Sequence, residues 1–132
     1  MSRIFHVWFS TKYRQPVLEG AVAADVRQLL LQIAAQIGVE MVETAAAGDH
    51  VHLLVTSTGG LTLPQAMHRL KGASSRYIRL KHSDLEGKLE SVAFWQKGYG
   101  WREVMAHEIA TVRRYIRAHE AKSEHPVARR ED

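Results

Sequence analysis

The stretch that most limits what this chain can fold into is residues 48–55, Gly-Asp-His-Val-His-Leu-Leu-Val. A turn signal followed by a run of β-branched and aliphatic residues reads as a strand. Side chains on a strand alternate between faces. His50, His52 and Leu54 therefore share one face, and Val51, Leu53 and Val55 the other. The second face belongs to an ordinary core. The first sets two imidazoles side by side, and buried polar groups cost free energy unless they find partners. The fold must cover one face of this strand with apolar groups and find a use on the other for two histidines. A divalent metal is one such use. On the pair alone, two hydrogen-bonded core histidines are the commoner answer.

The remaining chain is long enough for one core. Its 132 residues, 45% hydrophobic and 24% charged, suit a single globular domain. The formal net charge of +4 is a modest pointer to a polyanionic partner. With no cysteine, disulfide frameworks, thiolate metal sites and cysteine nucleophiles are excluded. The N-terminal segment lacks the apolar stretch of a signal peptide, and no run is long enough to cross a membrane. A cytoplasmic, nucleoid-associated protein is expected.

In chain order, residues 4–9 read as a strand and residues 10–16 as a basic loop carrying Lys12 and Arg14. Residues 21–37 read as a helix, because Val22, Val26, Leu29, Leu30, Ile33 and Ile37 repeat on one face and Gly38 stops it. Residues 39–46 and 50–57 form a hairpin about residues 47–49. Thr62 and Gln65 make a capping box for a helix to about residue 80, with Leu63, Met67, Leu70, Ala73 or Ser74, and Tyr77 as its buried stripe. That helix carries Arg69, Lys71, Ser75, Arg76 and Arg79 but no acid. A one-sign face without i+4 carboxylates suits a phosphate backbone better than it suits helix stability. Residues 89–95 read as a further strand. Residues 96–101 are aromatics punctuated by glycine, fit either to stack on bases or to seal a sheet edge. The last helix, residues 107–120, packs through Ile109, Val112 and Ile116. The polar segment 122–132 is expected to be a flexible tail, leaving a domain over residues 1–121. The order implies an α+β fold: a ferredoxin-like, RRM-like antiparallel sheet with helices on one face, plus an added C-terminal helix.

That last helix carries the remaining chemistry. Tyr115 and His119 are one turn apart and project together. His50 and His52 make an incomplete metal site, and His119 offers a third ligand. An open site of this kind polarises a phosphoryl oxygen. A tyrosine beside a metal-bound phosphodiester can attack phosphorus and conserve the bond as a phosphotyrosine, which simple hydrolysis would not require.

These residues resemble the HUH single-tyrosine transposases, the TnpA type of small insertion sequences, and their REP-associated relatives. The matching blocks are residues 9–18 (FSTKYRQPVL), 49–55 (DHVHLLV), 70–76 (LKGASSR), 94–100 (FWQKGYG) and 114–116 (RYI). The resemblance implies an obligate homodimer in which Tyr115 of one chain serves His50 and His52 of the other. It implies single-stranded DNA beside a hairpin as substrate, a 5′-phosphotyrosine intermediate, and Mg²⁺ or Mn²⁺ as cofactor. His119 stands where the family usually has glutamine, and imidazole shifts preference toward Mn²⁺ and softer ions. Asp49 is expected to serve the turn, with a further role in fixing a histidine tautomer as the alternative. His6, His68, His82, His107 and His125 lack pairing and receive no role. Three other functions compete: a histidine-triad hydrolase, which Leu54 argues against in place of a third histidine; a domesticated hairpin-binding protein; and a REP-type tyrosine recombinase or nickase without transposition.

Overall fold

The protein is described by a computed structural model covering residues 3–82 and 93–121, the side chains of 120 and 121 excepted. Its elements are β1 (Ile4–Ser10), α1 (Gly20–Ile37), β2 (Glu40–Ala47), β3 (His50–Ser57), α2 (Leu63–Lys81), β4 (Gly100–Val104) and α3 (Ile109–Ala121). The strands form one antiparallel sheet in the order β2-β3-β1-β4. This is the expected split βαβ topology, with β1 and β3 in the centre.

The two faces of the sheet bury different things. Phe5, Val7 and Phe9 of β1 and Val51, Leu53 and Val55 of β3 point into the main core, under α1 and α2. Val26, Leu30 and Ile33 of α1 and Met67, Leu70 and Ile78 of α2 fill it from above. Each fully buried side chain of this size contributes about 1.5–3 kcal/mol of transfer free energy. The opposite face receives α3, where Val112 and Ile116 close on Ala45, Leu54 and Val104. Arg113 and Arg117, one turn apart, both reach Glu43 of β2, at 3.3 and 3.1 Å. Helices thus lie on both faces, two on one and α3 on the other.

Local rules account for the boundaries. Gly38 caps α1 at φ +79°, donating to Ala34 and Ala35 carbonyls. Gly59 must remain glycine, since a Cβ there would come within 2.2 Å of the Gly38 carbonyl oxygen. Gly48 takes φ +66° in the first central position of the β2–β3 loop, where a two-residue hairpin needs it. Thr62 and Gln65 form the anticipated capping box, with Pro64 in the first turn.

Two expectations need correction. Tyr77 is exposed, and Ile78 takes its place in the α2 stripe of Ala66, Met67, Leu70, Ser74 and Ile78. From Ser74 the next inward position is four residues on, not three. The fourth strand is Gly100–Val104; most of the expected strand 89–95 lies outside the described residues. Within that stretch Trp95 makes a single bridge to Thr11. β4 evades a search for alternating apolar residues because it is an edge strand bearing Arg102 and Glu103, and charged edges discourage unwanted pairing. The tail 122–132 also lies outside the described residues, among which no helix is long and apolar enough to cross a membrane.

Candidate active site

The site grows from sheet register. Trp8 stands opposite His52 and Ser10 opposite His50 on one side, Ala45 and Ala47 on the other. The alanines leave room above β3 that a larger pair would fill. α3 lies over that room, and its i, i+4 pair enters it. The His119 ring sits 4.4 Å from that of His52 and 6.4 Å from that of His50, centroid to centroid. The Tyr115 ring is 5.7 Å from His52 and 5.8 Å from His6, while the residue as a whole stays exposed. The structure therefore brings together His50, His52, Tyr115 and His119, four residues that the sequence scattered over two elements. They meet within one chain.

Sequence reasoning missed one member. His6 projects from β1 onto the same face, buried, with its Nε2 3.0 Å from Nδ1 of His52. The signal was available: His6 and Trp8 alternate with Phe5, Val7 and Phe9, which places His6 on the histidine face once β1 pairs with β3. Trp8 packs edge-on against His6 at 5.0 Å. Gly100 of β4 lies under the Trp8 indole, where a Cβ would come within 2.1 Å of its nitrogen. A cavity of about 400 Å³ opens beside the nucleophile candidate, lined by His6, Trp8, His52, Arg102, Val112 and Tyr115.

Burial favours the neutral form of His6, His52 and His119. Burial, with Arg102 nearby, lowers His6 to about 4. Burial, with the neighbouring histidines, lowers His52 to about 2. Burial lowers His119 as well, and His50 adds to the effect. Asp49 accepts from His50 Nδ1 at 2.7 Å. Burial of that carboxyl pushes its pKa up, but the hydrogen bond and the charges of His50 and Arg14 outweigh it, so the net shift is downward. Asp49 thus both serves the turn and holds the His50 ring.

The side chains gathered here are of types that ligate divalent cations. His50 and His52 each engage a partner through Nδ1, the Asp49 carboxylate and the His6 ring. Among the described residues, Nε2 of His119 is buried without a hydrogen-bond partner. Such an orphan is costly unless something occupies it. The rings are not drawn together as a finished cage, and among the described residues no group of three His, Asp or Glu is gathered tightly enough to be one.

Comparison with known proteins now bears on this geometry. A family model described as "Transposase IS200 like" matches residues 2–119. The chain belongs to the IS200-like transposase family. It is 35% identical to the ISDra2 transposase TnpA of Deinococcus radiodurans over 112 residues, 85% of this chain and 80% of that one. It is 26% identical to the transposase for insertion sequence element IS200 of Salmonella typhimurium, over 86% of this chain and 74% of that one. The crystal structure of a candidate transposase from Deinococcus radiodurans R1 superposes with a TM-score of 0.74 at 31% identity, covering 89% of this chain and 91% of that one. A REP-associated tyrosine transposase bound to a REP hairpin shares the fold, with a TM-score of 0.67 at 12% identity over 92% and 68% of the two chains. The chain is thus a transposase, an enzyme of DNA cleavage and transfer.

For this IS200-like transposase the anticipated DNA-binding residues divide into two groups. Lys12 and Arg14 lie in a short 3-10 turn at the end of β1, where Tyr13 and Arg14 adopt φ of +58° and +53°. Arg14 joins Trp8, Ser10, His50, Lys97 and Tyr99 around a groove of about 580 Å³. Arg69, Lys71, Ser75, Arg76 and Arg79 sit on α2, across the sheet from the histidines. Arg69 and Arg76 are exposed. Lys71 instead donates to the carbonyls of Gln96 and Gly98, and burial lowers its pKa to about 8. It holds the 96–98 loop against α2, while Trp101 packs edge-on against Phe5 at 5.7 Å. The acid missing from α2 comes from α1: Asp25 pairs with Lys81 and His82.

Proposed function

We propose that this transposase cleaves and rejoins single-stranded DNA beside hairpins at the ends of an insertion sequence, with Tyr115 as nucleophile. The observation that carries the reading is the meeting of Tyr115 with His52 and His119 on the sheet face opposite α2. Tyr115 Oη forms a bond to phosphorus as the bond from phosphorus to the 3′ oxygen breaks. The phenol gives up a proton and the departing 3′ oxygen takes one up. The products are a 5′-phosphotyrosine and a free 3′ hydroxyl, which reverses the step on another strand. His50, His52 and His119 would hold Mg²⁺ or Mn²⁺, which when bound polarises the phosphoryl oxygen. Three imidazoles lean toward Mn²⁺. Arg69 and Arg76 on the far face would take hairpin phosphates, leaving the histidine face to the single strand.

The protein acts as a homodimer in which α3 serves a partner. Exchange of an identical element repeats the contacts it makes at home, so the docking of Val112, Ile116, Arg113 and Arg117 is what a partner's α3 would reproduce. A hairpin oligonucleotide with Mn²⁺ tests the chemistry: a covalent protein–DNA adduct forms and is lost in Tyr115→Phe. An adduct surviving in that variant refutes the nucleophile. Mixing Tyr115→Phe with His52→Ala restores cleavage if the site is shared between chains; two silent variants that stay silent when mixed show that each chain works alone.

A further inference from the structure

We infer that His6 is a positioning residue for His52: its Nε2 accepts the hydrogen of His52 Nδ1, which turns the His52 Nε2 lone pair toward Tyr115 and His119. The two nitrogens are 3.0 Å apart and both rings are buried. One hydrogen lies between them, so only two arrangements exist for neutral rings. If His52 donates, its Nε2 is bare and can ligate. If His6 donates, His52 carries its hydrogen on Nε2 and cannot. Two observations favour the first. His50, two residues along the same strand, uses its Nδ1 in the same sense, toward the Asp49 carboxylate, which can only accept. In the second arrangement the hydrogen on His52 Nε2 would have no partner among the described residues, where the hydrogen bond of this ring is the one to His6.

The His6 ring is itself held. Trp8 meets it edge-on at 5.0 Å and Tyr115 at 5.8 Å. Arg102 stands opposite His6 across the β1–β4 ladder. His6 therefore offers an acceptor fixed in place, as carboxylates and carbonyls do for ligating histidines elsewhere. The two histidines of β3 are oriented by different groups: an anion for His50, a neutral ring for His52.

The tautomer part of this inference stands apart from the proposed metal; its consequence for affinity rests on that reading. Nitrogen-15 spectra of the metal-free full chain, labelled at histidine, read the tautomer directly. His52 is expected protonated at Nδ1 and bare at Nε2; a hydrogen found on Nε2 overturns the inference. Mn²⁺ titration then compares His6→Phe, which keeps a ring but no acceptor, with His6→Gln, which keeps a carbonyl acceptor. His6→Phe should bind Mn²⁺ about 10–100-fold more weakly, and His6→Gln should recover most of that loss. Equal affinity in wild type and His6→Phe also overturns it. Should His6→Phe fail to fold, the wild-type tautomer and the His6→Gln titration decide. A wild-type chain that binds no Mn²⁺ would sink the metal reading of the site and leave the tautomer measurement as the judge of His6.

Discussion

β3 is one strand with two faces that obey opposite rules. Val51, Leu53 and Val55 enter a dry core under α1 and α2, where position matters only through volume and water exclusion. His50 and His52, interleaved with them, enter a space roofed by α3 and floored by alanines, where the Nδ1 of each ring meets a different partner. The core face contributes stability and is chemically inert. The histidine face spends stability: buried neutral imidazoles, an unpartnered His119 nitrogen and a cavity beside Tyr115 are features a stability-optimised sheet would lack.

The sharpest way to break this contrast is to exchange the costs. His52→Leu should abolish DNA cleavage while lowering stability in chemical denaturation by no more than about 1–3 kcal/mol, the loss expected when the buried His6 nitrogen is left without its partner. Leu53→Ala should lower stability by about 2–5 kcal/mol through loss of burial and the cavity left behind. At temperatures where that variant is folded, its cleavage should persist. If His52→Leu unfolds the protein, the histidine face is structural and the contrast collapses.

The next effect is on pH. His6 and His52 have folded-state pKa values lowered to about 4 and about 2 from the ordinary 6.5. The unfolded chain therefore binds more protons below pH 6.5, and stability falls as pH drops through that value toward 4. Each group contributes a slope of roughly 1.4 kcal/mol per pH unit inside its window. Urea midpoints measured from pH 7 to pH 4.5 should decline, and His6→Gln should flatten the decline. A flat wild-type profile would mean that the rings are not buried neutral.

The smallest effect separates the two sheet faces as DNA surfaces. Arg69→Gln with Arg76→Gln should change stability by less than about 0.5 kcal/mol, as exposed substitutions do. It should weaken hairpin binding several-fold and lower the slope of affinity against salt by about two. Unchanged salt dependence would remove α2 from the DNA surface.

Much of this was legible without coordinates, for local reasons. α1 and α2 follow from apolar spacing, the hairpin from Gly48, and the sharing of a face by Tyr115 and His119 from helical period. β4 was not legible, because an exposed edge strand is selected for charge and carries no apolar alternation. Tyr77 misled because i+3 and i+4 are both allowed inward steps. His6 was passed over because its partner lies 46 residues away.

The sequence by itself determined the alternation of β3, the two faces that alternation creates, and the chemistry offered by His50, His52, Tyr115 and His119. Those depend on periods of two and of 3.6 residues, which any chain carries locally. Only the tertiary structure decided that α3 crosses to the face opposite α2, that His6 joins His52, and that the basic helix lies behind the sheet. These depend on strand register and on which side a helix docks, and both are fixed by contacts between residues far apart in the chain.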